Sequence, residues 1–204
     1  MSRHRSRMRV SAGGDDSDDD TDKGMVYADE ARFTISFFSA VHRNSFVTFC
    51  TLLDKLDQLA SRTQRITVRL SSGGGDAFIG LAMHDAIKRC AHAVDTEACG
   101  LVASAAVMPF IAGQVRTIAP FAFLLIHQVR SSIYQEICSI DLSVEAVNTA
   151  VLQATYARVL GSIGVPVATS TELLSKESLL DAPMAVALGI ATRVTQSPRR
   201  TGAL

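Results

Sequence analysis

A strand that runs into three glycines and is followed by a helix constrains the fold of this chain most strongly. The segment 65–70 is rich in β-branched residues, which favour a buried strand. The glycines 73–75 come next, and Asp76 offers an N-cap for a predicted helix over 77–91. A strand, a tight turn and a helix in this order are typical of an α/β fold.

Strands and helices alternate through the rest of the chain. The predicted strands are 32–38, 65–70, 94–99, 115–118, 123–126 and 190–194. Helical spacing of apolar residues predicts helices over 45–59, 77–91, 104–112, 143–160, 171–176 and 183–188. This alternation predicts an α/β architecture with a mostly parallel sheet.

The composition is that of one globular domain. The chain has 204 residues, 48% of them hydrophobic, and its 20 Lys and Arg balance its 20 Asp and Glu. Since phosphate binding needs a basic surface, this balance argues against a nucleic-acid partner. The longest apolar stretch, 102–112, is too short to span a bilayer, which argues against a membrane partner.

The four cysteines show no metal-type spacing and lie mostly in apolar stretches. They are Cys50, Cys90, Cys99 and Cys138. We therefore predict reduced thiols and a cytoplasmic location, or an organelle matrix. The sequence also contains no P-loop, and we predict no bound metal or other cofactor.

Both ends of the chain are predicted to lie outside the folded domain. Residues 1–24 hold four arginines and then six aspartates, with few apolar residues to bury, so they predict a disordered charged tail. Residues 25–196 form the predicted domain, and 197–204 a flexible C-terminal tail.

A serine and a histidine give the strongest indication of chemistry. Ser104 lies among small residues in the segment 100–106, and His127 ends the apolar run 124–127. A nucleophilic serine needs small neighbours, so that a substrate carbonyl can approach, and an imidazole to take its proton. The glycine turn at 73–75 supplies backbone N–H groups. Together these segments predict a hydrolase active site.

The motifs, taken in order, resemble the family of Clp protease proteolytic subunits, which are serine peptidases on the Clp/crotonase fold. The resemblance runs from about residue 33 to residue 194 and rests on five segments. They are 72–75 (SGGG), 82–85 (AMHD), 100–104 (GLVAS), 126–128 (IHQ) and 181–190 (DAPMAVALGI). The resemblance implies repeated β-β-α and βα units, a mostly parallel sheet and a protruding handle helix at 143–160.

The resemblance also implies a role for each site residue. Ser104 corresponds to the family's nucleophile and His127 to its general base. The backbone amides of Gly75 and Ala105 correspond to the oxyanion hole. The family's aspartate lies five residues before an Ala-Pro dipeptide, and Glu177 occupies that position here.

The sequence does not decide which acid completes the catalytic triad. Asp181 and Glu172 lie nearby as alternatives to Glu177, and a site without a functional acid is a further option. The chain also departs from the family just after the histidine. Val129 stands where the family generally has proline, and Arg-Ser-Ser at 130–132 replaces glycines.

The function implied by the resemblance is a serine endopeptidase that hydrolyses unfolded or extended peptides inside a ring-shaped chamber. Its implied partners are unfolded polypeptides, copies of itself in two stacked heptameric rings or related subunits, and an AAA+ unfoldase. The alternatives are a catalytically weak structural paralogue that assembles with active subunits, a viral head-maturation protease, and a crotonase-type enzyme acting on acyl-CoA thioesters.

Overall fold

The computed structural model describes residues 24–130 and 139–196, which form an eight-stranded sheet with helices packed against it. The strands are β1 (Met25–Asp29), β2 (Thr34–Phe38), β3 (Ile66–Ser72), β4 (Val94–Ala103), β5 (Arg116–Ile118), β6 (Phe123–Ile126), β7 (Ser178–Leu180) and β8 (Arg193–Val194). The α-helices are α1 (Arg43–Leu59), α2 (Ala77–Arg89), α3 (Val107–Ala112), α4 (Ser139–Ser162), α5 (Val167–Ser175) and α6 (Ala182–Ala187). Single 3₁₀ turns lie at Glu30–Arg32 and Ser104–Ala106.

The sheet is mostly parallel, which confirms the predicted α/β architecture. Its main order is β1-β2-β3-β4-β5-β8, and among these described strands only β1 runs antiparallel to its neighbour. Strand β6 pairs in parallel with β4, and β7 pairs antiparallel with β6. The β6–β7 branch therefore forms a second, mixed part of the sheet.

Strand β4 pairs with two different strands along its length. Residues 96–98 pair with β5, and residues 101–103 pair with β6. Between them Gly100 has a φ of 62°, a left-handed conformation that glycine adopts without a steric penalty. The change of partner brings β6 to the carboxyl end of β4, directly before Ser104.

The core lies between the sheet and the helices. Strand β3 buries every second residue, as the period of a strand requires. Helix α1 buries an apolar stripe formed by Phe49, Leu52, Leu53 and Leu56. All six residues of α3 are buried. The helix that follows Ser104 is thus enclosed on every side, which leaves its first turn little freedom to move.

Two strands were not predicted, and several boundaries differ. Strands β1 and β7 are antiparallel additions, and the predicted strand at 190–194 is reduced to β8. The predicted helix at 143–160 lies within α4, which is longer at both ends. A three-residue strand such as β7 is too short to display a period-two pattern. Its pairing with β6 creates it.

Several predictions fall on residues beyond those described. The tail at 1–24, apart from Gly24, and the segment 197–204 lie outside the described residues, so the domain limits stay predictions. Cys50, Cys90 and Cys99 are free thiols, as predicted, whereas Cys138 lies outside the described part. Within 24–130 and 139–196, no helix is long and apolar enough to cross a membrane.

Candidate active site

The ends of three strands bring the predicted site residues to one edge of the sheet. Strands β4 and β6 pair in parallel up to the residue before Ser104, so the ends of the two strands are adjacent. In the antiparallel ladder between β6 and β7, Ile126 pairs with Ser178. One further step along that register sets His127 opposite Glu177. The topology therefore gathers Ser104, His127 and Glu177.

Ser104 occupies a strained turn between a strand and a helix. Its φ is 54°, in the left-handed region that residues other than glycine rarely adopt. The residue follows β4 and begins the 3₁₀ turn that leads into α3. Such conformations cost about 1–3 kcal/mol and cluster at functional sites. A sharp strand-to-helix turn of this kind exposes a serine hydroxyl at the top of a sheet.

Two glycines hold the backbone of Ser104 in place. A Cβ built on Gly74 would lie 2.6 Å from the Ser104 Cβ, and one built on Gly80 would lie 2.5 Å from the Ala105 carbonyl oxygen. Both distances are too short for a side chain. The glycine turn and helix α2 therefore pack directly against residues 104 and 105.

The glycine turn is held on its other side by the segment before α1. The Val41 N–H donates to the Gly74 carbonyl at 2.7 Å, and the Asp76 N–H donates to the Val41 carbonyl at 2.8 Å. The Gly74 N–H donates to Ser72 Oγ at 3.1 Å. Between these bonds, the Gly75 N–H has no acceptor among the described residues, so it is available to a ligand oxygen.

A second amide lies beside the glycine turn. A Cβ built on Gly74 would lie 3.2 Å from the Ala105 nitrogen. Ala105 is in the first turn of the helical segment after β4, where N–H groups lack an intrahelical acceptor. The arrangement can thus present the amides of Gly75 and Ala105 to one negatively charged oxygen.

His127 directly follows β6 and is half-buried. Its Nδ1 lies 2.7 Å from the carbonyl oxygen of Gln128. Because a carbonyl oxygen can only accept, this contact requires a proton on Nδ1, and in the neutral ring Nε2 is then an acceptor. That tautomer is the one that a general base requires. Among the described residues, no hydrogen bond joins His127 to Ser104 or to Glu177.

Glu177 is the second strained residue of the site. Its φ is 51°, and in the described part of the chain only Phe33 and Ser104 share such a conformation among residues other than glycine. Its Oε1 accepts a hydrogen bond from Arg130 Nη2 in an ion pair. The candidate acid therefore faces the site with an arginine, rather than the histidine, as its partner.

The alternative acids have other partners. Asp181 Oδ1 accepts from the Met184 N–H at 2.8 Å and so caps helix α6. It lies at the opposite end of β7 from Glu177. Glu172 pairs with Lys176 at 2.6 Å. Of the three candidate acids, Glu177 has the position most favourable for contact with His127.

The described cysteines do not compete with Ser104 as nucleophiles. Burial raises the pKa of Cys90 to about 12 and that of Cys99 to about 11, and it also raises the pKa of Cys50. These thiols stay protonated near neutral pH, and the thiolate is the reactive form. Within the same described residues, no group of three or more His, Cys, Asp or Glu side chains is arranged to hold a metal.

Comparison with known proteins identifies the family. The model of the Clp protease family matches residues 25–198. The chain belongs to the Clp protease family. The structure of a ClpP1 mutant from Listeria monocytogenes is similar to it, with a TM-score of 0.74 and 19% identity over 82% of this chain and 94% of that one. That similarity shows a shared fold. A comparison with curated proteins gives no significant match.

Sequence reasoning gave no contact in the site to three residues that shape it in this Clp protease family member. They are Val41, which anchors the glycine turn, Gly80, which packs on Ala105, and Arg130, which pairs with Glu177. Gly80 had a recognisable signal, because a glycine inside a helix destabilises it unless close packing requires one. Arg130 lies three residues after His127, but its partner is 47 residues away in the chain.

Proposed function

We propose that this protein is a serine endopeptidase that hydrolyses unfolded or extended peptides through an acyl-enzyme on Ser104. The observation that carries the proposal is the convergence at one sheet edge of a strained serine, a histidine with a free Nε2, and an unpaired Gly75 amide among the described residues. Membership of the Clp protease family supports a peptidase of this type.

The proposed reaction assigns one role to each group. Ser104 Oγ attacks the peptide carbonyl carbon while His127 Nε2 takes its proton. The amides of Gly75 and Ala105 bind the oxyanion. The C–N bond then breaks, and His127 returns the proton to the leaving amine. A water molecule, activated by the same histidine, hydrolyses the ester and frees Ser104. The reaction needs no metal and no cofactor.

Glu177 is proposed to orient His127 and to stabilise the imidazolium that forms during attack. We expect Glu177→Gln to lower kcat by about 10³–10⁴-fold with little change in KM, because the lost interaction acts mainly in the transition state. Steady-state hydrolysis of a fluorogenic peptide measures this. Glu172→Gln, which removes a solvent-exposed glutamate of α5, is the matched control. Equal kcat in Glu177→Gln and the wild type would contradict the role.

Assembly into rings is the second part of the proposal. Helix α4 carries a stripe of solvent-exposed valines at helical spacing, namely Val144, Val147 and Val151. An isolated chain would leave this stripe in water, which supports a contact between subunits. An enclosed chamber would restrict the enzyme to unfolded polypeptides, which an AAA+ unfoldase would deliver.

A fluorophosphonate probe tests the catalytic part of the proposal. Ser104 Oγ displaces fluoride from phosphorus, and the proton passes to His127. We expect mass spectrometry to locate a single adduct on Ser104 and none in Ser104→Ala. Light scattering on the same preparation measures the particle mass. An assembled particle in which Ser104 remains unlabelled would refute the proposed activity.

One observation favours the second candidate, a catalytically weak subunit that assembles with active ones. His127 contacts neither Ser104 nor Glu177 through a hydrogen bond among the described residues, and Glu177 is paired with Arg130. A subunit with a permanently separated triad would label slowly whatever its assembly state. Fast labelling of Ser104 in an assembled preparation that contains this chain alone would speak for the first candidate.

A further inference from the structure

The ion pair between Arg130 and Glu177 has no place in the proposed reaction. The two side chains come from the segments that follow β6 and precede β7, and β6 pairs with the strand β4 that ends before Ser104. A carboxylate that orients a histidine must offer an oxygen to Nδ1. Here the Glu177 carboxylate accepts a hydrogen bond from Arg130, and His127 Nδ1 is hydrogen-bonded to the Gln128 carbonyl oxygen.

Arg130 and His127 therefore compete for a hydrogen bond to the Glu177 carboxylate. They lie three residues apart on the segment that follows β6, and the β6–β7 register continued by one step sets His127 opposite Glu177. The ring already carries its proton on Nδ1, and exchanging the carbonyl for a carboxylate needs no change of tautomer. The exchange requires that Glu177 release Arg130 and that His127 release the Gln128 carbonyl.

The exposure of the pair makes that release easy. The Arg130 side chain is 64% exposed and that of Glu177 is 49% exposed. An ion pair this exposed favours one conformation over another by a factor of about five at most in the equilibrium constant. A bound peptide or a neighbouring subunit that forms a comparable contact with Arg130 would offset that advantage.

The other charged groups around the site are already engaged. Lys176, the neighbour of Glu177, pairs with Glu172, and Asp181 caps α6. Among the described residues, the guanidinium of Arg130 is thus the cation that contacts the candidate acid.

We propose that Arg130 is a positioning residue that holds Glu177 away from His127 and keeps the unengaged site in a low-activity state. This inference rests on the proposed function, because it assigns a regulator to the same catalytic groups. Active and inactive arrangements then differ by the partner of Glu177. Substrate or assembly shifts the balance toward the Glu177–His127 contact.

The test compares four variants with the wild type in the 204-residue chain. Arg130→Gln removes the competing charge, Arg130→Lys keeps it, and Arg130→Gln/Glu177→Gln removes both partners. Arg158→Gln is the matched control, because Arg158 is an exposed arginine of α4 that contacts Thr155. Steady-state hydrolysis gives kcat and KM. The Nδ1–H resonance of His127, in protein labelled with ¹⁵N-histidine, reports its acceptor without any need for activity.

We expect Arg130→Gln to raise kcat by about fivefold at unchanged KM and to move the His127 Nδ1–H resonance downfield, as a carboxylate replaces a carbonyl acceptor. Arg130→Lys and Arg158→Gln should match the wild type. The double variant should lose both effects. An unmoved resonance, or a kcat that falls, would overturn the proposal.

The two readouts separate this proposal from the proposed function. If fluorophosphonate labels no variant, the peptidase assignment fails, and the resonance still shows whether Arg130 controls the partner of Glu177. If Ser104 is labelled and the resonance is the same in the wild type and Arg130→Gln, the peptidase stands and the role of Arg130 is refuted. A rise in KM alone would make Arg130 a substrate contact and would also refute it.

Discussion

Ser104→Ala is expected to lower peptide turnover by about five to six orders of magnitude, to the level supplied by binding and the oxyanion amides alone. The hydroxyl is the proposed point of covalent attachment, and no described cysteine offers a thiolate near neutral pH. The measurement is hydrolysis of a fluorogenic unfolded peptide. The fold should be unaffected, because an alanine at this position would keep the same backbone turn with one fewer polar atom.

The control for this variant is Ser162→Ala at the end of α4. Its hydroxyl donates to the Val159 carbonyl at 2.7 Å and has no connection with the sheet edge among the described residues. We expect wild-type turnover from it. Turnover close to wild type in Ser104→Ala would mean that another group performs the chemistry and would refute the acyl-enzyme.

Gly75→Ala is expected to lower kcat/KM by about 10²–10³-fold, the loss that follows when one oxyanion donor is displaced. Gly75 has a φ of 145°, and a Cβ there would lie 2.3 Å from the carbonyl oxygen of Val41. Because this contact is with backbone, the turn must move and take its amide with it. We also expect a loss of about 1–3 kcal/mol in the free energy of unfolding.

Two other glycines separate the causes of that effect. Gly164 has a φ of 94° but open space around it, so Gly164→Ala isolates the backbone strain. Gly73 lies in the same turn, and a Cβ built on it meets no atom within 4 Å. Gly73→Ala therefore measures the effect of adding a methyl group to this turn without a steric clash. Urea unfolding and peptide hydrolysis of the three variants measure both properties. An equal loss of activity in Gly164→Ala would contradict the steric argument.

The local parts of the fold follow from the sequence because their signals are local. The strand at 65–70 and the helix after Asp76 are present, and Asp76 caps the helix through hydrogen bonds to the N–H groups of Phe78 and Ile79. Strand β7 escapes prediction because three residues contain no period. The partner β6, more than fifty residues earlier in the sequence, determines it.

Some residues of the candidate site can likewise be predicted from local sequence, whereas others depend on the folded chain. The sequence predicts a serine among small residues, a histidine after an apolar strand and a glycine turn, since each is a composition signal. It leaves three acids open because the separation of side chains in space cannot be read from their separation along the chain. The β6–β7 register sets Glu177 opposite His127 and leaves Asp181 at the far end of the strand.

The α/β class, the family resemblance and the residue types that a serine hydrolase needs can all be read from the amino-acid sequence. How these residues meet depends on the folded chain. The fold placed Ser104 and Glu177 in left-handed turns, packed Gly74 and Gly80 against the backbone around the serine, and paired Glu177 with Arg130. The physical reason is that strain, close packing and ion pairs depend on contacts between distant segments, and those contacts exist only once the sheet has formed.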